Sequence, residues 1–429
     1  MTRAIMLRRL LVTLVTTLVL TPPGVLAEAD SGPGPIATPR PESRSAARDT
    51  WTGTWEGTAS GTAPALPGAS IRNVVHTSVG GRAARVRLSN RLGTAPLQLG
   101  SVTLALQLPG VPEGPGAGAV AGSVRTVTFG GARSLTLPAG RDVVSDPVAL
   151  TVPADANLLV SVHTPGDSGP ATFHRSALQA NFVAPGGDRT TDESGAGYTR
   201  TIGNWYYVTG VDVLRRSTAG SVVALGDSIT DGTGSSFSAD HRWPDRLADR
   251  LRDLPAGRRP GVLNAGISGN RVLREGRGPS ALTRLDTDVL SRAGVRTVIV
   301  LEGINDIKGS PEVTDPLDLE NAYRLLVRRA HARGLRVIGA TITPYGGHSA
   351  YTPAREAVRL AVNGAIRTRG IFDAVADFDA TVRDPGRPNR ILPAYDPGDH
   401  LHFNDTGMRA LADTIDLTAL VPTGAALRP

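Results

Sequence analysis

The chain has 429 residues, with 46 Lys or Arg against 39 Asp or Glu and a formal charge of +7. That length leaves material for two domains with sizeable cores, and the absence of cysteine excludes disulfides, thiolate nucleophiles, cysteine-ligated metals and a lipid-modified cysteine anchor. Basic residues are scattered among acids and not gathered with aromatics, which argues against a nucleic-acid partner, and the single lysine, Lys308, excludes a phosphate-cradling Walker loop in Gly226 to Gly234.

Arg3, Arg8 and Arg9 precede an apolar stretch from Leu10 to Leu20, then Pro22-Pro23-Gly24 and the small-residue end Val25-Leu26-Ala27. This pattern predicts a signal peptide over residues 1–27 and a secreted, extracellular protein. The apolar stretch is shorter than the about 20 residues a membrane span needs, so no stable membrane anchor is expected after cleavage. Loss of the three leader arginines leaves 43 basic against 39 acidic residues, +4. Adjacent Arg8-Arg9 leaves Sec and twin-arginine export both open.

Residues 28–49 are rich in Pro, Ser, Ala and Gly without apolar periodicity, which predicts a flexible linker. From residue 50 to about 215 short alternating runs follow: Arg82 to Leu88, Val102 to Leu106, Val124 to Phe129, Leu135 to Leu137, Val148 to Val152 and Leu158 to Val162. Turn signals such as Gly80-Gly81, Gly130-Gly131 and Pro138-Ala139-Gly140 separate them. Such spacing predicts an all-β, jelly-roll-like sandwich, with Pro109 to Gly122 as a long surface loop.

From Ser221 strands alternate with helices. Val222 to Leu225, Val262-Leu263, Thr297 to Leu301, Val337 to Ile342 and Ala374 to Phe378 read as strands; Trp243 to Leu251, Leu319 to Arg333, Thr352 to Arg369 and Gly407 to Leu420 read as helices. The alternation predicts an α/β fold with a doubly wound parallel sheet, which binds ligands outside the carboxyl ends of its strands.

Three motifs fall at those ends. Gly226-Asp227-Ser228 puts a hydroxyl on a tight turn, the block Asn264 to Asn270 supplies glycines whose N–H groups can approach a ligand, and Gly303-Ile304-Asn305-Asp306 supplies an amide donor. Near the C-terminus Asp399-His400-Leu401-His402 offers a carboxylate and an imidazole. Serine needs an imidazole as base and a carboxylate to orient the ring, and its tetrahedral intermediate needs oxyanion donors, so the four segments point to acyl transfer, most simply ester hydrolysis. Asp227 is read as a structural carboxylate in the turn. His400 and His402 both follow Asp399 closely, and an alternating strand would place them on the same side. Asp399, His400 and His402 also form a metal-ligand pattern, a reading that leaves the serine and oxyanion blocks unexplained.

The four blocks, in this order from about Ser221 to Leu420, resemble the SGNH, or GDSL, hydrolase family, with Ile229 where the family's spelling has Leu. The resemblance implies a flavodoxin-like hydrolase domain over residues 216–421, after a sandwich over 50–215 and before a tail at 422–429. It implies Ser228 as nucleophile, His402 as base, Asp399 as its orienting partner, and Ser228, Gly269 and Asn305 as oxyanion donors. No metal or other cofactor is implied.

The expected protein is therefore a secreted serine esterase on a small-molecule or polysaccharide ester. The polar, glycine-rich stretch Thr230 to Arg242 favours short acyl groups such as acetyl. Trp51, Trp55 and Trp205 either face a glycan or pack a junction between domains. Competing readings are a lipase or lysophospholipase for longer chains, a catalytically weak carbohydrate-binding protein, and acyl transfer to a sugar acceptor. His76, His163, His174, His241 and His331 lack partners at telling spacing and are expected to be structural or on the surface; His348, in a loop from Tyr345 to Tyr351, is expected to border the site.

Overall fold

The computed structural model describes residues 49–110 and 116–420. The expected signal peptide, the linker up to residue 48, part of the Pro109 to Gly122 loop and the tail lie outside the described residues. No helix among the described residues is long and apolar enough to cross a membrane.

Up to Arg216 the chain builds antiparallel sheets, the two largest of four and six strands. In the long strand Ala156–Thr164, Leu158, Val160 and Val162 enter one large core, joined there by Val86 and Leu88 of Ala83–Ser89 and by Val211 and Val213 of Val208–Arg216. Both main sheets thus give alternate side chains to one interior, as a sandwich does. Leu159, on the other face, enters a smaller cluster with Val74, Phe182 and Tyr198.

Two expected strands differ. Only Arg125–Thr126 of the Val124 to Phe129 run forms a strand. Val148 to Val152 makes only isolated bridges, at Val148 to Ala84 and at Val152 to Gly81; Pro147 and Pro153 flank it, and neither has an N–H to extend a ladder. Conversely Ala69–Thr77 is a nine-residue strand that apolar alternation does not announce, because Arg72, Asn73 and His76 interrupt it. Arg72 is fully buried, where its guanidinium donates to Ser161 Oγ (2.9 Å) and to the carbonyls of Ala117 (2.6 Å) and Asp192 (2.8 Å) and lies 4.0 Å over the Tyr198 ring.

From Ser221 the chain forms a five-stranded parallel sheet in the order Gly261–Gly266, Ser221–Gly226, Val295–Leu301, Arg336–Ala340, Ala374–Ala376. Its strands are continuous apolar runs because both faces are covered. Val223 and Leu225 pack with Leu319, Ala322, Val358 and Val362 of the helices Pro316–His331 and Pro353–Thr368. Val222 and Ala224 pack on the opposite face with Trp243, Leu247, Met408 and Leu411 of Trp243–Leu251 and Asp405–Asp413. The two long helices start where Asp315 and Thr352 accept N–H groups in their first turns, each followed by a proline. The expected helix Gly407 to Leu420 stops at Asp413 and resumes as the short turn Leu417–Ala419. Four short helices were not expected, Ser228–Asp231, Ala281–Leu285, Ile304–Lys308 and Phe378–Val382, the last beginning where the expected strand Ala374 to Phe378 has already ended at Ala376.

The described residues all fall within one compact unit. The first sandwich strand, Asp49–Glu56, runs against the sheet's edge strand Gly261–Gly266 so closely that a Cβ on Gly261 would stand 1.9 Å from Gly53 O. Ser221 Oγ accepts the Gly53 N–H (3.0 Å) and donates to Ala293 O (2.9 Å). Ser78 Oγ accepts the Val262 N–H (2.9 Å), and Gly57 forms a parallel bridge with Asn264. Ion pairs Arg292–Glu56 (2.7 Å) and Arg91–Asp288 (2.8 Å) also cross this boundary. Trp55 and Trp205 lie buried beside it with ring centroids 4.9 Å apart, and Arg242 stacks 5.7 Å from Trp205. These two tryptophans pack the junction and present no face to a glycan.

Candidate active site

The strand Ser221–Gly226 ends in a turn that only glycine permits: a Cβ on Gly226 would lie 2.0 Å from Thr230 Oγ1. Asp227 then caps a four-residue helix, Ser228–Asp231, its Oδ1 accepting the Ile229 N–H (3.0 Å). This is the structural part expected of Asp227. Ser228 opens the helix, where backbone N–H groups have no partner within the helix itself, and its side chain reaches the imidazole supplied by the far end of the chain.

His402 Nε2 lies 2.8 Å from Ser228 Oγ, and His402 Nδ1 lies 2.5 Å from Asp399 Oδ2. The other Asp399 oxygen accepts the N–H groups of Leu401 (3.0 Å) and His402 (2.9 Å), so one carboxylate shapes the loop and aims the ring. Partial burial pushes the Asp399 carboxyl up, but the His402 N–H, the His402 ring and the Leu401 N–H together hold it below the ordinary carboxylate value. An ionised carboxylate only accepts, so Nδ1 carries the proton and Nε2 is free to accept the serine's. His400 takes no part. Its backbone is left-handed, at φ 62°, which breaks the expected alternation, and its Nδ1 pairs with Asp396 Oδ2 at 2.6 Å. Asp399, His400 and His402 therefore do not converge as ligands. The loop carrying His348 does border this region, with Gly347 packed against the His400 ring.

Gly269 follows the strand Gly261–Gly266 with φ 82°, a conformation that favours glycine, and stands in the turn that also holds Ser268 and Asn270. Asn305 lies one residue into the helix Ile304–Lys308, after Val295–Leu301. Its Nδ2 donates to Asn270 O (2.9 Å) and, at a long 3.4 Å, toward Asp227 Oδ2. The second contact is weak enough to be exchanged for a ligand oxygen. Each of the three strand ends thus delivers one predicted donor: Ser228, Gly269 or Asn305.

Several supporting residues were not singled out from the sequence. Arg284, fully buried on the unexpected helix Ala281–Leu285, donates to Ala265 O (2.6 Å), Gly226 O (2.9 Å) and Asn270 Oδ1 (3.0 Å), tying two strand ends to the glycine block. It also faces Glu302 Oε1 at 3.3 Å. Asp306 accepts the N–H groups of Val272 (2.8 Å) and Leu273 (3.0 Å). His174, expected to lack a partner, sits 2.9 Å from Asp231 Oδ1. The one sequence signal for Asp231 was its place three residues after Ser228.

Behind the serine, burial pushes the Asp227 carboxyl up to about 7 and the Glu302 carboxyl well above its ordinary value, the latter also through the Asp227 charge. Burial likewise raises Asp306. The arrangement as a whole is a hydroxyl, an imidazole and a carboxylate in a hydrogen-bonded line.

The sequence profile of the GDSL-like lipase/acylhydrolase family matches residues 224–410, the stretch that holds every one of these residues except His174 of the sandwich. No curated protein matches the chain. Among solved structures, the chain is similar to a family two carbohydrate esterase from Cellvibrio japonicus, at 12% identity over 86% of this chain and 94% of that one with a TM-score of 0.35. It is also similar to the acetyl xylan esterase AlAXEase, at 22% identity over 45% of this chain and 96% of that one, TM-score 0.36. A GDSL-like lipase from Bacteroides thetaiotaomicron VPI-5482 is 17% identical over 45% of this chain and 84% of that one, TM-score 0.35.

Proposed function

We propose that the protein is a carboxylic ester hydrolase of the GDSL-like lipase/acylhydrolase kind, whose profile matches residues 224–410, and more closely a secreted serine esterase working through Ser228, His402 and Asp399. The observation that carries this reading is the unbroken line Asp399–His402–Ser228, at 2.5 and 2.8 Å.

In this mechanism His402 Nε2 takes the Ser228 proton as Oγ attacks the ester carbonyl, and Asp399 stabilises the imidazolium that forms. The oxyanion rests on the N–H groups of Ser228 and Gly269 and on the Asn305 amide, which gives up its 3.4 Å contact with Asp227. Collapse breaks the bond to the alcohol, which leaves with the proton from His402. Water, deprotonated by the same ring, then releases the acid from Ser228.

Short acyl groups come first as substrates. The stretch from Thr230 to Arg242 after the serine is polar and tied on two sides, Ser236 N–H to Asp405 Oδ1 (2.8 Å) and Ser238 N–H to Leu178 O (2.8 Å). Among the described residues its large exposed apolar side chain is Phe237 alone. Secretion rests on the leader pattern of residues 1–27.

The test is release of p-nitrophenol from acetyl, butyryl and longer acyl esters by the mature protein and its Ser228→Ala variant. The expected result is turnover highest on acetyl and lowered about 10³-fold or more in the variant. Near-normal activity of Ser228→Ala sinks the assignment; a long-chain optimum replaces the short-acyl reading with a lipase.

A further inference from the structure

Asp231 closes the four-residue helix that Ser228 opens, and it is buried at 4% exposure. Its Oδ2 accepts both the Ser268 N–H (2.9 Å) and the Ser268 hydroxyl (2.6 Å). Ser268 immediately precedes Gly269, whose N–H is the second oxyanion donor of the mechanism above. The carboxylate therefore bridges the element that carries the nucleophile and the turn that carries a donor.

What holds Asp231 comes from the sandwich. His174, at the end of the strand Ala171–His174 and 3% exposed, places Nε2 2.9 Å from Asp231 Oδ1 and 3.2 Å from Ser176 O. Its Nδ1 lies 2.7 Å from Thr58 O. All three partners are carbonyl or carboxylate oxygens, which only accept, so both ring nitrogens carry hydrogens and the ring is an imidazolium. Burial alone would drive the proton off, but the Asp231 carboxylate more than offsets it and holds the ring's pKa above its ordinary value. The Trp205 ring packs against the His174 ring with centroids 5.3 Å apart.

We propose that His174 is a positioning residue for the hydrolytic site: from the sandwich it fixes Asp231, and through Asp231 it fixes the Ser268-Gly269 turn in register with Ser228. This rests on the esterase reading. Without the imidazolium the buried carboxylate loses its hydrogen-bonded cation and keeps only the weaker field of Arg242, at a desolvation cost that it relieves by taking up a proton or turning away. Either response loosens the hold on Ser268. A displacement of about 1 Å at a reacting geometry can cost on the order of 10²-fold in rate, so a sandwich residue can govern turnover without touching substrate.

The experiment uses the full mature chain and titrates active sites with a serine-reactive p-nitrophenyl phosphonate, so that kcat is expressed per reactive Ser228. His174→Ala is expected to lower kcat on p-nitrophenyl acetate about tenfold or more per titrated site, with KM little changed. His174→Gln, which can still donate one N–H to Asp231, should recover part of the loss. Asp231→Asn combined with His174→Ala should be no worse than the more damaging single variant, because both break one linkage.

A merely structural role predicts instead fewer titratable sites with full kcat at each, and that result overturns the proposal, as does a strictly additive double variant. If His174→Ala yields no folded protein, Ser268→Ala decides, since it leaves the cross-boundary pair intact: a fall in kcat at constant KM supports the proposal and an unchanged kcat overturns it. Turnover that survives Ser228→Ala would remove the esterase reading itself. Turnover that depends on Ser228 and is untouched by these variants would remove only this inference.

Discussion

Ser228, Gly269 and Asn305 stand at the ends of three neighbouring parallel strands, whereas Asp399 and His402 stand on a loop without regular structure. The first group is enclosed: Arg284, Asp306 and Asp231 bind the turns from beneath, all three buried. The second is open, and its shape comes from carboxylates that grip backbone N–H groups within a few residues, Asp396 on Gly398 and His400, Asp399 on Leu401 and His402. Their titration differs in sign as well. Burial raises Asp227, Glu302 and Asp306 on the serine side, while hydrogen bonds depress Asp399 and Asp405 on the imidazole side despite partial burial. The proposed oxyanion donors are thus held by long-range tertiary bonds, and the proposed base by short-range ones that water can partly replace.

The sharpest way to break this contrast is Arg284→Ala. It leaves Glu302 without its cation and takes one donor from each of three acceptors, and the expected loss of unfolding free energy is about 3–5 kcal/mol, measured by urea denaturation. A loss below about 1 kcal/mol would mean that the serine side is no better anchored than a surface pair. Next is Asn305→Ala, expected to lower kcat about 10²-fold by removing one oxyanion donor. Steady-state kinetics check it, and a change confined to KM would place Asn305 outside the reaction's charge development.

The smallest effect belongs to the imidazole side. Asp405 accepts the Ser236 N–H at 2.8 Å and pairs with His241 at 2.6 Å, about a third exposed. Asp405→Ala is expected to cost at most about 1 kcal/mol at neutral pH. Because its folded-state pKa lies below the ordinary 3.8, that contribution is present above about 3.8 and is lost as pH falls through the folded value. Thermal melts of the two proteins should therefore converge as pH falls below 3.8. On the serine side the sign reverses: groups with raised pKa, such as Asp227 at about 7, contribute fully below 3.8 and lose that contribution as pH rises through the folded value.

The parallel half was largely legible in the sequence, because its strands are apolar runs ended by glycine motifs, and four spaced motifs named the residues now seen in one place. Trp243–Leu251 reads from its apolar spacing alone. Less was legible where polar side chains are buried for a tertiary reason. Ala69–Thr77 hides its strand pattern behind Arg72 and Asn73, each held by carbonyls far away in sequence. Arg284 looks like any helix-surface arginine until two strand ends meet at it. His174 has no partner at nearby spacing because its carboxylate lies 57 positions on, across the boundary between the two halves.

The close seam between Gly53 and Gly261 has one more consequence. Gly261–Gly266 is the outermost strand of the parallel sheet, with outward N–H and carbonyl groups that would otherwise be a template for a strand from another molecule. Ser78 and Gly57 occupy positions along that margin. The sandwich therefore covers an edge that would otherwise stand open, and any side chain at Gly261 would be forced against Gly53.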